Sequence, residues 1–244
     1  MIFQRKAACV HQLMMDDRSV VYREIVLSRT QKHKKAPLII GLHGHGSNEN
    51  QMETLVGLDI AQPHNYLAIR GFHKLDEGGY TWFSISVTQN GITFDVEDVL
   101  LSLKRLRNAI SMLCDQFNAD PEQVYLVGYS QGAVMSLAYT LRYANTLTAS
   151  AAMAGHLLPE LKPLTPNTEA LKDFPIFIGH GTLDAVISQA DIEVTADYLT
   201  HLGLDVTLNC YKIPHVVSVA ERRDLSVWLL QQMNRGKKVS HEPA

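Results

Sequence analysis

The stretch VYLVGYSQGAVMSLAYTLRYA, residues 124–144, decides the fold. A short apolar run of strand character meets Gly128-Tyr-Ser-Gln-Gly132, and a helix-like segment follows at once. A reactive serine at the tip of a parallel sheet has to sit on such a sharp strand-to-helix turn, with strained backbone angles. The residues two before and two after must then be tiny, or their side chains would collide across the turn. Gly128 and Gly132 meet that demand, and Ala133 keeps the next contact small. The helix beginning near Gln131 turns its first N–H groups toward Ser130, where a developing oxyanion would need them. A Gly-x-Ser-x-Gly match also arises by chance. A chance match has no reason to fall between a strand and a helix.

Outward from this turn, short β-rich runs alternate with helical stretches, the pattern of an α/β fold with a largely parallel sheet and helices on both faces. Strands are predicted at 20–27, 37–42, 66–70, 123–127, 149–153, 175–178 and 206–213. Most are continuous apolar runs, as strands covered on both faces require. From Asp95 onward, Val96, Val99, Leu103, Leu106, Ile110, Leu113 and Phe117 recur at three- and four-residue steps, one face of a long amphipathic helix. Ser188 with Asp191, and Ser218 with Glu221, have capping-box spacing, so helices should start at both serines. Gly203 and Gly236 stand where helices would stop. The stretch 71–91 resolves into no regular element, and loops of that length are often functional.

A serine hydroxyl needs a base to become a nucleophile, usually a histidine oriented by a buried carboxylate. In sheets of this kind the acid and then the histidine follow the serine, each after a later strand. Asp184 in FPIFIGHGTLDAVIS and His215 in VTLNCYKIPHVVSVAE occupy those places. Asp191 is better explained as a cap and Asp197 as a helix charge; His201 falls inside a predicted helix, His241 in the tail, and His180 before Asp184, out of order. After an early strand, LIIGLHGHGSNEN offers a loop able to supply a second oxyanion donor, by position the N–H of His45, with Gln131 giving the other. His43 and His45 have no carboxylate or third histidine near them in sequence to complete a metal site, and no P-loop lysine follows the glycines.

The 244 residues, 46% apolar and 19% charged, fit a single domain over residues 1–236 with a frayed tail at 237–244. A net charge of −3 gives no basic patch for nucleic acid. No apolar stretch reaches the length of a membrane span. The start, MIFQRKAACVHQLMMDD, lacks the apolar core of a signal peptide. Three scattered cysteines, Cys9, Cys114 and Cys210, form neither a disulfide framework nor a zinc spacing, so a reducing cytoplasm is the expected compartment. No feature identifies an interface between copies.

Together LHGHGSN, GYSQGAVMS, GHGTLDAVIS and PHVVSVAERRDLSVWL resemble the phospholipase/carboxylesterase family of α/β-hydrolases, which includes acyl-protein thioesterases. The segment IRGFHKLDEGGYTWFSI is similar to that family's loop ending in a Trp-aromatic pair beside the site. The resemblance implies the α/β-hydrolase fold and a Ser-Asp-His esterase that needs no metal or organic cofactor; no long apolar insertion in the sequence suggests a large lid. It implies Ser130 as nucleophile, Asp184 as acid and His215 as base. Phe72, Trp82 and Phe83 become candidates for contact with a small-molecule or acylated substrate, with small to medium acyl groups favoured. A long-chain acyl-protein thioesterase or lysophospholipase is the alternative within enzymes, and a catalytically inactive binding module the alternative outside them. The sequence departs from the family pattern at His45, Ser47 and Pro214, where leucine, aspartate and glycine are usual.

Overall fold

The computed structural model describes residues 10–15, 18–26, 35–55, 57–88, 91–164 and 169–239. Eight strands make the central sheet: β1 (Val10–Met15), β2 (Arg18–Val26), β3 (Ala36–Leu42), β4 (Asn65–Ile69), β5 (Ala119–Tyr129), β6 (Ala149–Met153), β7 (Pro175–Gly181) and β8 (Asp205–Tyr211). Their order is β1-β2-β4-β3-β5-β6-β7-β8. β2 pairs antiparallel with β1 and β4, and every pairing from β4 to β8 is parallel. The helices are a single turn α1 (Gln51–Thr54), α2 (Val96–Gln116), α3 (Gln131–Tyr143), α4 (Gln189–His201) and α5 (Val219–Val239).

Alternation along the strands divides the core into two layers. Leu38, Ile40, Val124 and Leu126 face one side and pack with α2, α3 and α4. Ile39, Tyr125, Val127 and Tyr129 face the other and pack with Met52 of α1 and with Leu225, Trp228, Leu229 and Met233 of α5. Both faces are covered, which is why the strands read as unbroken apolar runs. Trp228 belongs to this core.

The chain runs from β3 out to β4 and returns to β5 on the other side of β3, so β3 and β5 are neighbours at the point where strand order reverses. Loops leaving the carboxyl ends of such a pair border one crevice. This topology brings the loop after β3 against the turn after β5: a Cβ on Gly44, the neighbour of His45, would lie 3.3 Å from the Cβ of Ser130.

All seven predicted strands form, within a few residues at their ends. β5 is longer than expected, starting at Ala119. β1 was not anticipated; it is an edge strand whose short run carries little periodic signal. The stretch 71–91 is not irregular: it holds two ribbons, His73–Lys74 with Tyr80–Thr81 and Ile85–Thr88 with Gly91–Phe94. Strands this short fall below what alternation can reveal. Asp95 caps α2 by accepting from the Glu97 N–H at 2.9 Å. Gly203, at φ +92°, ends α4 as expected: its N–H bonds to Thr200 and that of Leu204 to Leu199, the Schellman pattern. Gly236 does not end α5, which runs on to Val239. One glycine costs a helix only about 1 kcal/mol. Cys9, His241 and the end of the tail lie outside the described residues.

Candidate active site

Ser130 follows β5 directly and holds φ 53°, ψ −118°, a region an L-residue rarely occupies. The surroundings over-determine it. Its N–H donates to Met153 O at 2.9 Å, and its carbonyl accepts from Ala133 and Val134 at 2.8 and 3.1 Å, starting α3. The flanking glycines are required, as expected, by contacts at the turn, though what their side chains would strike is backbone. A Cβ on Gly128 would strike the carbonyl of Gly132, and a Cβ on Gly132 the carbonyl of Leu42 at the end of β3. The first collision is across the turn between β5 and α3, and the second arises because α3 and β3 approach each other this closely.

Asp184 lies in the turn after β7, its side chain fully buried. Its Oδ1 accepts from the N–H groups of Val186 and Ile187 at 2.8 and 3.0 Å. Its Oδ2 is 2.7 Å from His215 Nδ1, and His215 Nε2 is 3.0 Å from Ser130 Oγ. A carboxylate only accepts, so Nδ1 carries the proton and Nε2 offers its lone pair to the serine hydroxyl. Burial would raise the Asp184 pKa, but the bonds from Ile187, His215 and Val186 outweigh it and hold the group below its usual range. The two loops are tied together by the Leu183 N–H to Ile213 O, 3.0 Å, and the Thr182 N–H to Tyr211 O, 2.7 Å. Proline at 214 leaves these bonds intact, since they use the carbonyls before it.

Sequence reasoning missed Tyr129, the residue before the serine. Its hydroxyl donates to the His215 carbonyl at 2.8 Å. Burial, with smaller contributions from Asp184 and Glu221, pushes its pKa up to about 12, so it stays a neutral donor. The signal was present: alternation places residue 129 on the α5 face, from which His215 approaches.

The loop after β3 is held by contacts that do not involve the side chain of residue 47. Gly46 N–H donates to Tyr80 O at 3.0 Å and Tyr80 N–H to Ser47 O at 2.7 Å. Arg70 grips buried Glu49 with two bonds of 2.6 Å. His43 is buried as well, and burial depresses its pKa to about 4. It is therefore neutral, accepting the Gly71 N–H at Nε2 and donating from Nδ1 to Gly44 O. The backbone N–H groups of His45 and Gln131 make no hydrogen bond among the described residues. Among those residues no three His, Cys, Asp or Glu stand together as metal ligands.

Of the three aromatic candidates, Trp82 and Phe83 lie in the core, 0% and 2% exposed. The Trp82 indole donates to His43 O at 2.8 Å. Phe72 is half-buried, edge-on to Trp82 and covered by the Arg105 guanidinium. The Gln131 side chain is buried and fastens the serine turn to this segment: Oε1 accepts the Trp82 N–H at 3.0 Å and Nε2 donates to Phe83 O at 2.8 Å.

A mostly parallel eight-stranded sheet, helices on both faces and a serine on the turn after its fifth strand define an α/β-hydrolase. The crystal structure of a Bacillus cereus carboxylesterase superposes with a TM-score of 0.70, covering 87% of this chain and 93% of that one at 21% identity. The family model described as Phospholipase/Carboxylesterase matches residues 23–231, and the chain belongs to that family. Among curated relatives, acyl-protein thioesterase 1 of Kluyveromyces lactis is 31% identical over 154 residues, 61% of this chain and 67% of that protein. A probable carboxylesterase, SOBER1-like, of Arabidopsis thaliana is 27% identical over 141 residues, 57% of this chain and 54% of its own length. The chain thus spans about half of that relative. No helix among the described residues is long and apolar enough to cross a membrane.

Proposed function

We propose that this protein hydrolyses carboxylic esters, and thioesters by the same steps, through an acyl-enzyme on Ser130. The observation that carries the reading is the unbroken contact from Asp184 through His215 to Ser130 Oγ. His215 takes the hydroxyl proton as Ser130 attacks the acyl carbonyl, and the N–H groups of His45 and Gln131 hold the oxyanion. His215 then protonates the leaving alkoxide or thiolate. Water, activated by the same imidazole, releases the acid. Asp184 fixes the tautomer and stabilises the imidazolium. The two donors are suited to the role because nothing else among the described residues claims them. Small to medium acyl groups are favoured, because the aromatic pair that would wall a long groove is buried.

A fluorophosphonate should add once to the wild type and not to Ser130→Ala, read by intact mass. The same substitution should lower kcat on a short p-nitrophenyl ester by about 10⁴- to 10⁶-fold, with acetate and butyrate cleaved faster than palmitate. An unlabelled, well-folded wild type would leave the inactive binding module as the better reading.

A further inference from the structure

Thr81 closes the ribbon strand Tyr80–Thr81 and is 1% exposed. Its hydroxyl sits among three polar atoms: Phe83 O at 2.8 Å, Gln131 Oε1 at 2.8 Å and His45 Nδ1 at 3.0 Å. The Gln131 amide cannot be reversed, because Trp82 N–H only donates and Phe83 O only accepts. Two of the three neighbours are therefore pure acceptors, and the single hydroxyl proton goes to one of them. None remains for His45. Nδ1 of His45 must carry its own proton and donate to Thr81 Oγ. That bond forms from the Nδ1–H tautomer and also survives protonation of the ring.

One hydroxyl thus clamps the side chains of both residues whose backbone N–H groups face the reacting carbonyl in the mechanism above. We propose that Thr81 is a positioning residue of the oxyanion hole, an inference that rests on that mechanism. Its leverage is greater on His45. Gln131 keeps two other bonds to the Trp82–Phe83 segment, whereas the imidazole of His45 has Thr81 as its one hydrogen-bond partner among the described residues. His45 also sits between Gly44 and Gly46, and Gly46 holds φ +72°. Glycines permit the loop to swing. The Gly44–His45 peptide, which carries the donor N–H, is gripped at its carbonyl by His43 Nδ1–H at 2.7 Å. Thr81 holds the side chain beyond it. Bonds from Gly44 N–H to Gln51 Oε1 at 2.8 Å and from Gly46 N–H to Tyr80 O at 3.0 Å hold the backbone on either side. Losing the Thr81 restraint should therefore cost less than losing a donor outright, which is worth about 10²- to 10³-fold in kcat.

The test compares Thr81→Val, which keeps the shape and removes the hydroxyl, with Thr81→Ser, which keeps the hydroxyl. With a short p-nitrophenyl ester, Thr81→Val should lose about 10-fold in kcat with KM within about threefold. Inhibition by a trifluoromethyl ketone, which forms a tetrahedral adduct, should weaken in step with kcat. Thr81→Ser should recover most of both. Because the effect runs through His45, Thr81→Val should cost much less in a His45→Ala background than in the wild type. An unchanged kcat, a loss confined to KM, a serine variant as poor as the valine, or full additivity would each overturn the inference. If Thr81→Val does not fold, Thr81→Ala takes its place against Thr81→Ser on the same readouts. Fluorophosphonate labelling of Ser130 separates the two levels. An unlabelled wild type would sink the mechanism beneath; a labelled wild type with an indifferent Thr81→Val sinks only the role of Thr81.

Discussion

Glu221 reads in the sequence as the far half of a capping box. It closes that box, donating its N–H to Ser218 Oγ at 3.1 Å and accepting the Ser218 N–H at Oε2. The structure adds that the carboxylate is 1% exposed, with Oε1 against β7 at Gly179 and without a hydrogen-bond partner among the described residues. Burial, opposed by the Ser218 N–H and helped by Asp224, pushes its pKa up to about 7 from 4.5. Between those values the folded chain keeps a proton that the unfolded chain releases, so this group's contribution to stability falls as pH rises through the window. Well above pH 7 the penalty is complete, about 3 kcal/mol. Glu221→Gln should therefore raise Tm by several degrees at pH 8 and change it little at pH 5. A difference in Tm independent of pH would refute this account. That Ser130, Asp184 and His215 meet could be read from the sequence, because each is a chemically distinctive residue at a strand end in a known order. Thr81 could not be read that way: its partner Gln131 lies 50 residues off, and only the folded sheet brings them together.

The turn from β5 into α3 shows how an element's position is fixed by what cannot be accommodated beside it. Gly132 lets α3 meet the backbone of β3, and a Cβ there would be driven into the Leu42 and His43 carbonyls. Gly46 has a positive φ but nothing within 4 Å of a Cβ. The two glycines should thus differ sharply. Gly132→Ala should cost several kcal/mol or abolish folding, since two backbones must separate. Gly46→Ala should cost only the left-handed strain of about 1–2 kcal/mol. Urea unfolding of both variants checks this, and equal losses would mean that close approach is not what Gly132 serves. The same distinction explains which elements were legible. α2 was visible because seven apolar residues repeat along it, and the caps at Ser188 and Ser218 are local chemistry. The ribbons at 73–94 were not, since two to four residues carry no period.

Across the whole molecule, buried histidines set the response to acid. His43, His64, His156 and His180 all have pKa values lowered chiefly by burial, His43 to about 4. His180 has no hydrogen-bond partner at either ring nitrogen among the described residues, and its Nδ1 stands 4.0 Å from Asp184. Each histidine binds a proton in the unfolded chain near pH 6.5 and not yet in the folded one. Stability is therefore intact above about pH 6.5 and lost progressively as pH falls toward 4. His43 alone contributes about 3 kcal/mol at full displacement. Glu221 opposes this over nearly the same window, with a shift of similar size and opposite sign, so the other three histidines decide the net slope. The fold should lose stability between pH 6.5 and 5, and Glu221→Gln should lose it more steeply because the opposing group is gone. Tm measured from pH 8 to 5 on both proteins tests the argument. A Tm of Glu221→Gln that stays level or rises on acidification would mean that these histidines are charged in the folded state. The neutral His43 that receives the Gly71 N–H, and with it the support of the loop after β3, would then have to be redrawn.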